Sequence, residues 1–324
     1  MSEHSSRLKI IGMLSDGLFH SGETIGEALG ISRAAVNKHI QTLKSWGLDI
    51  YRVQGKGYQL SQPIEMLSQT LLEAAAIEDI EVIPVIDSTN QYLLDRVHRL
   101  SSGHCCVAEY QQAGRGRRGR AWFSPFGSNI YLSLYWRLDA GMAAAMGLSL
   151  VVGVIAAECL REVTGADVKV KWPNDLYVND KKLAGILVEL TGQAGDAAHI
   201  VVGMGINMTM SNDDSLIDQP WTSLAKTCHH MPHRNTLIAT LVEKIRVGLQ
   251  EYEAAGLAAF EQRWNALDNF VGRPVAIVMG NQQVSGIARG INAQGALLLE
   301  NATGDITPFI GGEISLRGSD AITH

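Results

Sequence analysis

At 324 residues, 46% of them hydrophobic, the chain can bury the cores of two or three domains, and its balance is that of a soluble globular protein. The net charge of −6 is unevenly placed: seven Lys or Arg against five Asp or Glu in the first 60 residues give a head at +2 and a body at −8. Four cysteines, with Cys105 and Cys106 adjacent and no C-x-x-C, point to a reducing, cytoplasmic compartment. No charged-then-apolar leader opens the chain, which argues against secretion.

Residues 1–62 read as a helical unit ending in a hairpin. Leu8, Ile11, Met13, Leu14 and Leu18 predict a first helix. Ser21 can cap a second that runs to Leu29, with Glu23 and Thr24 in its opening turn, and Gly30 breaks the chain. Ser32 caps a third, Arg33 to Trp46, with Ala35, Val36, Ile40, Leu43 and Trp46 near helical spacing. Its polar face carries Arg33, Asn37, Lys38, Gln41 and Lys44, the side-chain types that reach base edges and phosphates from a recognition helix. Asp49 to Val53, a turn at 54–57 and Tyr58 to Leu60 predict a hairpin, and Arg52 and Lys56 make it a wing on DNA. With Ser21, these form the candidate DNA-binding set. A helix-turn-helix pattern by itself also fits a small adaptor with a solvated helix face, and the basic wing tips the reading towards DNA.

Residues 63–268 alternate strands and helices. Strands are expected at Ile80 to Ile86, Val107 to Tyr110, Ile130 to Leu138, Val168 to Lys171, Leu183 to Leu190 and His199 to Gly205, with a hairpin on Asn179-Asp180. Helices are expected at Ser88 to Leu100, Ala143 to Val163 and through Arg234 to Leu267. This is mixed α/β with strands often adjacent and antiparallel. Met142 to Ala157 is uncharged, but it has 16 residues, contains Gly147 and Gly153 and ends at Glu158; a spanning helix needs about 20, so a buried core helix is expected and no membrane partner. Residues 269–324 show short, closely spaced strands: Pro274 to Met279, a turn at Gly280-Asn281, Gln282 to Asn292, Gly295 to Glu300 and Asp305 to Pro308, a small β-barrel. The whole is an α+β chain of three domains, 1–62, 63–268 and 269–324.

Gly114-Arg115-Gly116-Arg117-Arg118-Gly119-Arg120 spells the dinucleotide fingerprint G-x-G-x-x-G. That fingerprint works only where a helix leaves the glycine turn and aims its amides at a pyrophosphate. Here Ala121, Trp122, Phe123, Ser124, Pro125 and Phe126 carry no helical period, and the next run reads as a strand. What remains is a mobile cationic loop, whose guanidinium forks suit phosphate and carboxylate; a solvated basic turn is the plainer reading.

Polar residues gather where strands end: Asp87-Ser88-Thr89-Asn90-Gln91, Gln111-Gln112, Lys171-Trp172-Pro173-Asn174-Asp175, Lys181-Lys182 and Gly203-Met204-Gly205-Ile206-Asn207. Taken singly they are turn formers and caps; together they outline a ligand crevice. There is no G-x-x-x-x-G-K-[ST] and no Ser or Cys with a sequence-local base. Cys228-His229-His230-Met231-Pro232-His233 has no closed zinc spacing and reads as a solvated loop.

Asp87-Ser88-Thr89-Asn90, Gly114 to Gly119, Lys171 to Asp175 and Lys182-Leu183-Ala184-Gly185-Ile186-Leu187 resemble, in order, the signatures of biotin protein ligases. With the winged helix in front, nearly the whole chain resembles the bifunctional ligases that also repress the biotin operon. The resemblance implies a class II synthetase-like central fold and an SH3-like C-terminal barrel. It further implies that biotin and ATP give biotinyl-5′-AMP and pyrophosphate, after which a lysine of the biotin carboxyl carrier protein of acetyl-CoA carboxylase takes the biotin. The cofactor set is ATP, biotin and Mg²⁺, and the partners are the carrier, operator DNA and a second copy in a homodimer promoted by biotinyl-5′-AMP.

On this resemblance Ser88, Thr89 and Gln111 would meet the ureido ring of biotin, and Asn90, Gly116 and Gly185 complete its pocket. Arg115, Arg117 and Lys182 would be the catalytic cations on the biotin carboxylate and the phosphates. Trp122, Asn174, Lys182 and Asn207 would bind the nucleotide, and Asn174 and Asp175 would stand on the metal side. Residues 211–233 and the last dozen depart from the pattern, and only closure of the tail on the nucleotide is expected there. The rivals are a ligand-sensing repressor without ligase activity, and a lipoate-type ligase. DNA binding by the head should depend steeply on salt: with about six phosphate contacts, operator affinity falls about a thousandfold between roughly 50 and 200 mM. Titrations at several salt concentrations that gave a flat affinity would count against the winged-helix reading.

Overall fold

The structure is a computed structural model that describes residues 4–75, 77, 79–193, 195–210, 217, 219–279, 282–310 and 314–318. Its head consists of α1 (Ser5–Leu14), α2 (Gly22–Leu29), α3 (Arg33–Ser45) and the antiparallel hairpin of β1 (Ile50–Val53) with β2 (Gly57–Leu60). Both caps read from the sequence form: Ser21 Oγ accepts from the Thr24 amide at 2.9 Å and Ser32 Oγ from the Ala35 amide at 3.2 Å. The first helix stops before Leu18, because Gly17 turns to φ +73° and Asp16 takes the Leu18 amide, leaving Leu18 63% exposed. Ile10, Leu14, Ile25, Val36, Ile40 and Leu43 close a core that also holds Phe126, a residue distant in sequence.

The central body contains α4 (Gln69–Ala74), β3 (Ile80–Ile86), α5 (Thr89–Leu94), β4 (Cys105–Gln111), β5 (Asn129–Leu138), α6 (Leu148–Thr164), β6 (Lys169–Lys171) and β7 (Asp175–Val178). It continues through β8 (Lys181–Thr191), β9 (Ala198–Asn207), α7 (Leu224–Thr227), α8 (Arg234–Ala255) and α9 (Ala258–Leu267). The seven strands lie in the order β3-β4-β5-β9-β8-β7-β6, with β3 and β4 parallel and the other pairs antiparallel. Asn179 and Asp180, at φ +50° and +60°, make the tight turn between β7 and β8.

Two expected helices are shorter than their patterns. α5 ends at Leu94 and a 3₁₀ turn, Val97–Arg99, follows; Leu93 and Val97 thereby pack on Cys106, Tyr135 and Val201. α6 starts at Leu148, since Gly141 and Gly147 adopt positive φ and split off a 3₁₀ turn at Met142–Ala145. Met142–Thr164 is long and apolar enough to cross a membrane, yet twelve of the seventeen α6 residues are buried against the sheet, α8 and α9, so it forms the core of the body.

The C-terminal strands β10 (Pro274–Met279), β11 (Gln282–Ile291), β12 (Leu297–Glu300), β13 (Ile306–Phe309) and β14 (Ile314–Gly318) form an antiparallel sheet in the order β13-β12-β11-β10-β14. Its Val275, Ile277, Leu297 and Leu299 enter the core of the body. The expected turn at Gly280-Asn281 and the chain beyond 318, where the tail was expected to close on nucleotide, lie outside the described residues.

Head, body and tail are joined by buried polar groups. Arg234 at the start of α8 donates to the Glu65 carbonyl at 2.7 Å, the Asn129 carbonyl at 2.9 Å and Glu109 at 2.8 Å, and Glu109 also accepts the Leu67 amide. At the junction with the tail, Asp268 is 7% exposed; its Oδ1 accepts from the Phe270 amide at 2.9 Å and its Oδ2 has no hydrogen-bond partner among the described residues. Burial pushes this carboxyl up from 3.8 to about 6, against the pull of the Phe270 hydrogen bond. The folded protein therefore keeps a proton that the unfolded chain has released, and stability falls as pH rises from about 4 to about 6 and stays lowered above that. Asp268→Asn, which can keep the bond to Phe270, should gain about 2–3 kcal/mol relative to wild type on going from about pH 3.5 to 7.5, read from urea midpoints. A difference independent of pH would overturn this assignment.

Candidate active site

A cleft of about 710 Å³ lies over the sheet between the arginine loop and the tail. Ser88, Thr89 and Asn90 enter from the β3–α5 junction, Gln111 from the end of β4, Lys171 to Asp175 from the β6–β7 turn, and Lys182 and Gly185 from β8. Gln219, Pro220, Phe270 and Arg273 close it. Of the residues assigned to biotin, nucleotide or metal, all but Asn207 line this space.

The ends of the cleft differ in chemistry. At one end Gln111 Oε1 accepts from the Thr89 amide at 3.0 Å and its hydroxyl at 3.1 Å, and Gln111 Nε2 donates to Ser124 Oγ at 3.1 Å. Ser88 Oγ caps α5 through the Gln91 amide. Beside them Arg115 donates to Gln91 Oε1 at 2.9 Å and to Glu189 Oε2 at 2.8 Å. At the other end Lys182 Nζ stands 2.8 Å from Asp175 Oδ1, both side chains about 15% exposed, in an ion contact not aligned as a hydrogen bond. Arg117 donates to Asn174 Oδ1 at 3.1 Å, and burial, then the charge of Arg118, push its guanidinium below the usual range.

The loop between these ends is closed on itself rather than free. Gly116 donates to the Arg120 carbonyl at 2.7 Å, Trp122 to the Gly114 carbonyl at 2.8 Å, and Arg117–Gly119 forms a 3₁₀ turn with Arg118 at φ +58°. In this conformation these bonds, and the anchors of Arg115 and Arg117, hold the cationic loop from both sides. No helix follows the glycines, as the sequence implied; the chain passes from Trp122 to Phe126 and into β5.

The glycines of β8 and β9 have a purpose visible only here. A Cβ at Gly205 would overlap the Trp122 indole and one at Gly185 would come within 2.9 Å of it, so the ring lies on bare backbone with Lys182 Nζ 5.5 Å from its centroid. A Cβ at Gly203 would overlap the Asn90 amide. Asn90 is spent inside the protein, donating to the Leu187 carbonyl and to Glu189 and lying 2.5 Å from Ser133 Oγ. Asn207 is buried away from the cleft, with its amide donating to the Thr222 carbonyl at 3.0 Å. That bond holds segment 220–222, which pairs with the Lys182 backbone on both sides.

Eight buried side-chain polar atoms lack a hydrogen-bond partner among the described residues, and three of them stand on residues of the cleft wall: Arg115 Nε, Trp122 Nε1 and Asp175 Oδ1. An orphaned buried donor costs about 1–3 kcal/mol.

Comparison with known proteins agrees with this arrangement. Residues 82–207 match the Biotin/lipoate A/B protein ligase family, residues 6–59 an HTH domain and residues 270–317 the Biotin protein ligase C terminal domain. The chain is 55% identical over 322 residues to the Bifunctional ligase/repressor BirA of Escherichia coli (strain K12), covering 99% of this chain and all of that one. The chain belongs to the biotin protein ligase family. Its relative of the same description in Bacillus subtilis (strain 168) is 30% identical over 88% of this chain and 90% of that one. A structure of the Biotin protein ligase from Aquifex aeolicus in complex with biotin and ATP, 28% identical, superposes with a TM-score of 0.66 over 75% of this chain and all of that one.

The head that accompanies this family's ligase body presents Arg33, Lys38, Gln41 and Lys44 exposed on α3. Asn37 accepts from the Tyr58 hydroxyl at 3.3 Å, which ties the recognition helix to the wing. Arg52 lies 6.0 Å from the Tyr58 ring and Lys56 5.6 Å from that of Phe19, while Ser21 serves as a cap. Sequence reasoning missed Glu189 and Ser124, and listed Gln91 in the crevice without a role. The two missed signals were faint: one acid inside an apolar strand and one hydroxyl in a loop.

Proposed function

We propose that this chain is an ATP-dependent biotin protein ligase that joins biotin to AMP, transfers it to a lysine of a biotin carboxyl carrier protein, and represses transcription through its winged helix. The observation that carries the reading is the convergence of Arg115, Arg117 and Lys182 on one cleft floored by Gly185 and Gly205, in a chain of this family. The lipoate reading loses ground to full-length relatives described as ligase/repressors, and a sensor without ligase activity would not need the three cations together.

The residues account for the chemistry as follows. Thr89, Gln111 and Ser88 offer paired polar groups to the ureido ring in a dry pocket, where unpaired ones would be costly. Arg115 and Lys182 neutralise the biotin carboxylate and the α-phosphate, two anions that otherwise repel. A carboxylate oxygen then bonds to the α-phosphorus as the bond to pyrophosphate breaks, and positioning with charge stabilisation suffices without a protein nucleophile. In the second step the carrier lysine amine bonds to the acyl carbon and AMP leaves. Trp122 is a candidate platform for the adenine, though one face of its ring already rests on Gly205.

The cation usual for such ATP chemistry fits this wall only with help from the nucleotide. Among the described residues no three of His, Cys, Asp and Glu converge on a metal position, and Asp175, whose Oδ1 faces Lys182 Nζ at 2.8 Å, is the carboxylate the wall places beside the assigned lysine. Mg²⁺ that takes one carboxylate, phosphate oxygens and water suits that set and would supply charge neutralisation. Asn174 uses both ends of its amide, on Arg117 and the Ile186 carbonyl, and holds the wall in place.

Wild-type protein incubated with labelled biotin, ATP and a carrier domain should leave covalent label on the carrier. Lys182→Ala should lower pyrophosphate release about 10²- to 10³-fold, the usual effect of losing one transition-state contact, with an unchanged circular dichroism spectrum. Label absent from the wild-type reaction would remove the ligase reading, and near-normal turnover in the variant would remove the role of Lys182.

The adenylate would also act as corepressor by strengthening a homodimer. Beyond Gly185, β8 has a strand partner on β9 alone among the described residues, and Leu190 is 40% exposed there. Such an edge is suited to pairing with a second copy, and it begins beside the cation-lined cleft. Ligand that binds the dimer better than the monomer shifts the equilibrium towards it. Biotinyl-5′-AMP should tighten self-association about tenfold or more in sedimentation equilibrium; the same monomer fraction with and without it would refute this coupling. The four free cysteines suit a reducing, cytoplasmic setting.

A further inference from the structure

Arg115 is held by side chains that no motif contains. Nη2 donates to Glu189 and Nη1 to Gln91, while Nε is buried with no hydrogen-bond partner among the described residues, and Arg115 lines the cleft. Glu189 projects from β8 and binds Asn90 Nδ2 with the same oxygen, at 2.8 Å. Asn90 is 4% exposed and fixed from beneath by the Leu187 carbonyl and by Ser133 on β5, and it fills the space left by the missing side chain of Gly203. The series Ser133, Asn90, Glu189, Arg115 thus runs from the sheet floor to the cleft mouth.

We infer that Glu189 is a positioning residue for ligation: its carboxylate holds the Arg115 guanidinium in one orientation at the cleft wall, where it can meet a ligand carboxylate. This rests on the proposed reading that the ligand is biotin. An arginine has four rotatable side-chain bonds, and on a glycine-flanked loop it would sample many directions. The ion pair to a strand residue removes that freedom before the ligand arrives, so less ordering is left for the binding step. Glu189 itself does not line the cleft, whereas Arg115 does. The side-chain amide of Gln91 is a weaker clamp, being neutral and on a short helix.

The test is a double-mutant cycle on Glu189→Gln and Arg115→Ala, read by calorimetric titration with biotin and by steady-state kinetics. Glu189→Gln keeps the shape and removes the charge; it should weaken biotin binding about tenfold, the scale of one freed long side chain, and raise KM for biotin while kcat and KM for ATP change less than about twofold. In the Arg115→Ala background the second substitution should change nothing further, because the group it positions is gone. Glu189→Asp should recover part of the affinity. Additive losses, an unchanged biotin affinity, or a fall in kcat alone would overturn the inference. Glu189 is on a strand with its side chain 27% exposed, and circular dichroism checks that the variants fold. If wild type itself fails to bind biotin, the proposed function fails, a result distinct from all of these.

Discussion

The buried pair of Arg234 and Glu109 is the constraint around which the parts are arranged. Both are almost fully enclosed, at 4% and 1% exposure, and a charge in such a place is tolerated only when every neighbour answers it. The answer comes from four separate stretches of chain: the segment leaving the head at Glu65 and Leu67, β4, the start of β5 and the start of α8. A buried ion pair of this kind adds little net stability over an apolar substitute, and what it supplies is registry. Glu109 is two residues from Gln111 in the cleft, and its carbonyl takes the amide of Gly127, where the arginine loop ends. The position of the site is thereby set relative to the point where the head is attached.

Within that frame the cleft is built from cations that already have partners. Lys182 faces Asp175, Arg117 faces Asn174, and Arg115 faces Glu189. A cluster of unanswered positive charge would repel itself and dissolve into solvent-seeking rotamers. Here each cation is oriented by a polar or acidic partner. Glycine completes the arrangement by letting the Trp122 ring and the Asn90 amide sit directly on strands β8 and β9.

What could be read from the sequence was what local chemistry determines. Ser21 and Ser32 are caps because a side-chain oxygen must meet free amides at a helix start, and Asn179-Asp180 is a turn because both residues tolerate positive φ. The cation-bearing motifs were legible because charge at strand ends stands out. The expected shapes of the first helix, α5 and α6 were too long, since apolar spacing continues through positions where Gly17 or Gly147 changes the backbone direction. Pairs far apart in sequence left no trace: Arg234 with Glu109, and Asn207 with the Thr222 carbonyl. Asn90 looked like a ligand group and Glu189 like part of a strand, because a sequence does not say which polar atoms are already satisfied.

The loop that begins among the cations ends in another structure. Phe126 is wholly buried in the core of the head, donates its amide to the Trp46 carbonyl at 2.8 Å and stacks on the Trp46 ring at 5.9 Å, while Tyr110, next to Gln111, stacks on the same indole at 5.1 Å. Trp46 is the residue that ends the recognition helix. The boundary between regulator and enzyme is therefore not a place in the chain but an aromatic stack shared by both. A cut at residue 62 would leave the regulator without one wall of its core and the enzyme with two uncovered rings. In this chain each half thus supplies packing surface to the other.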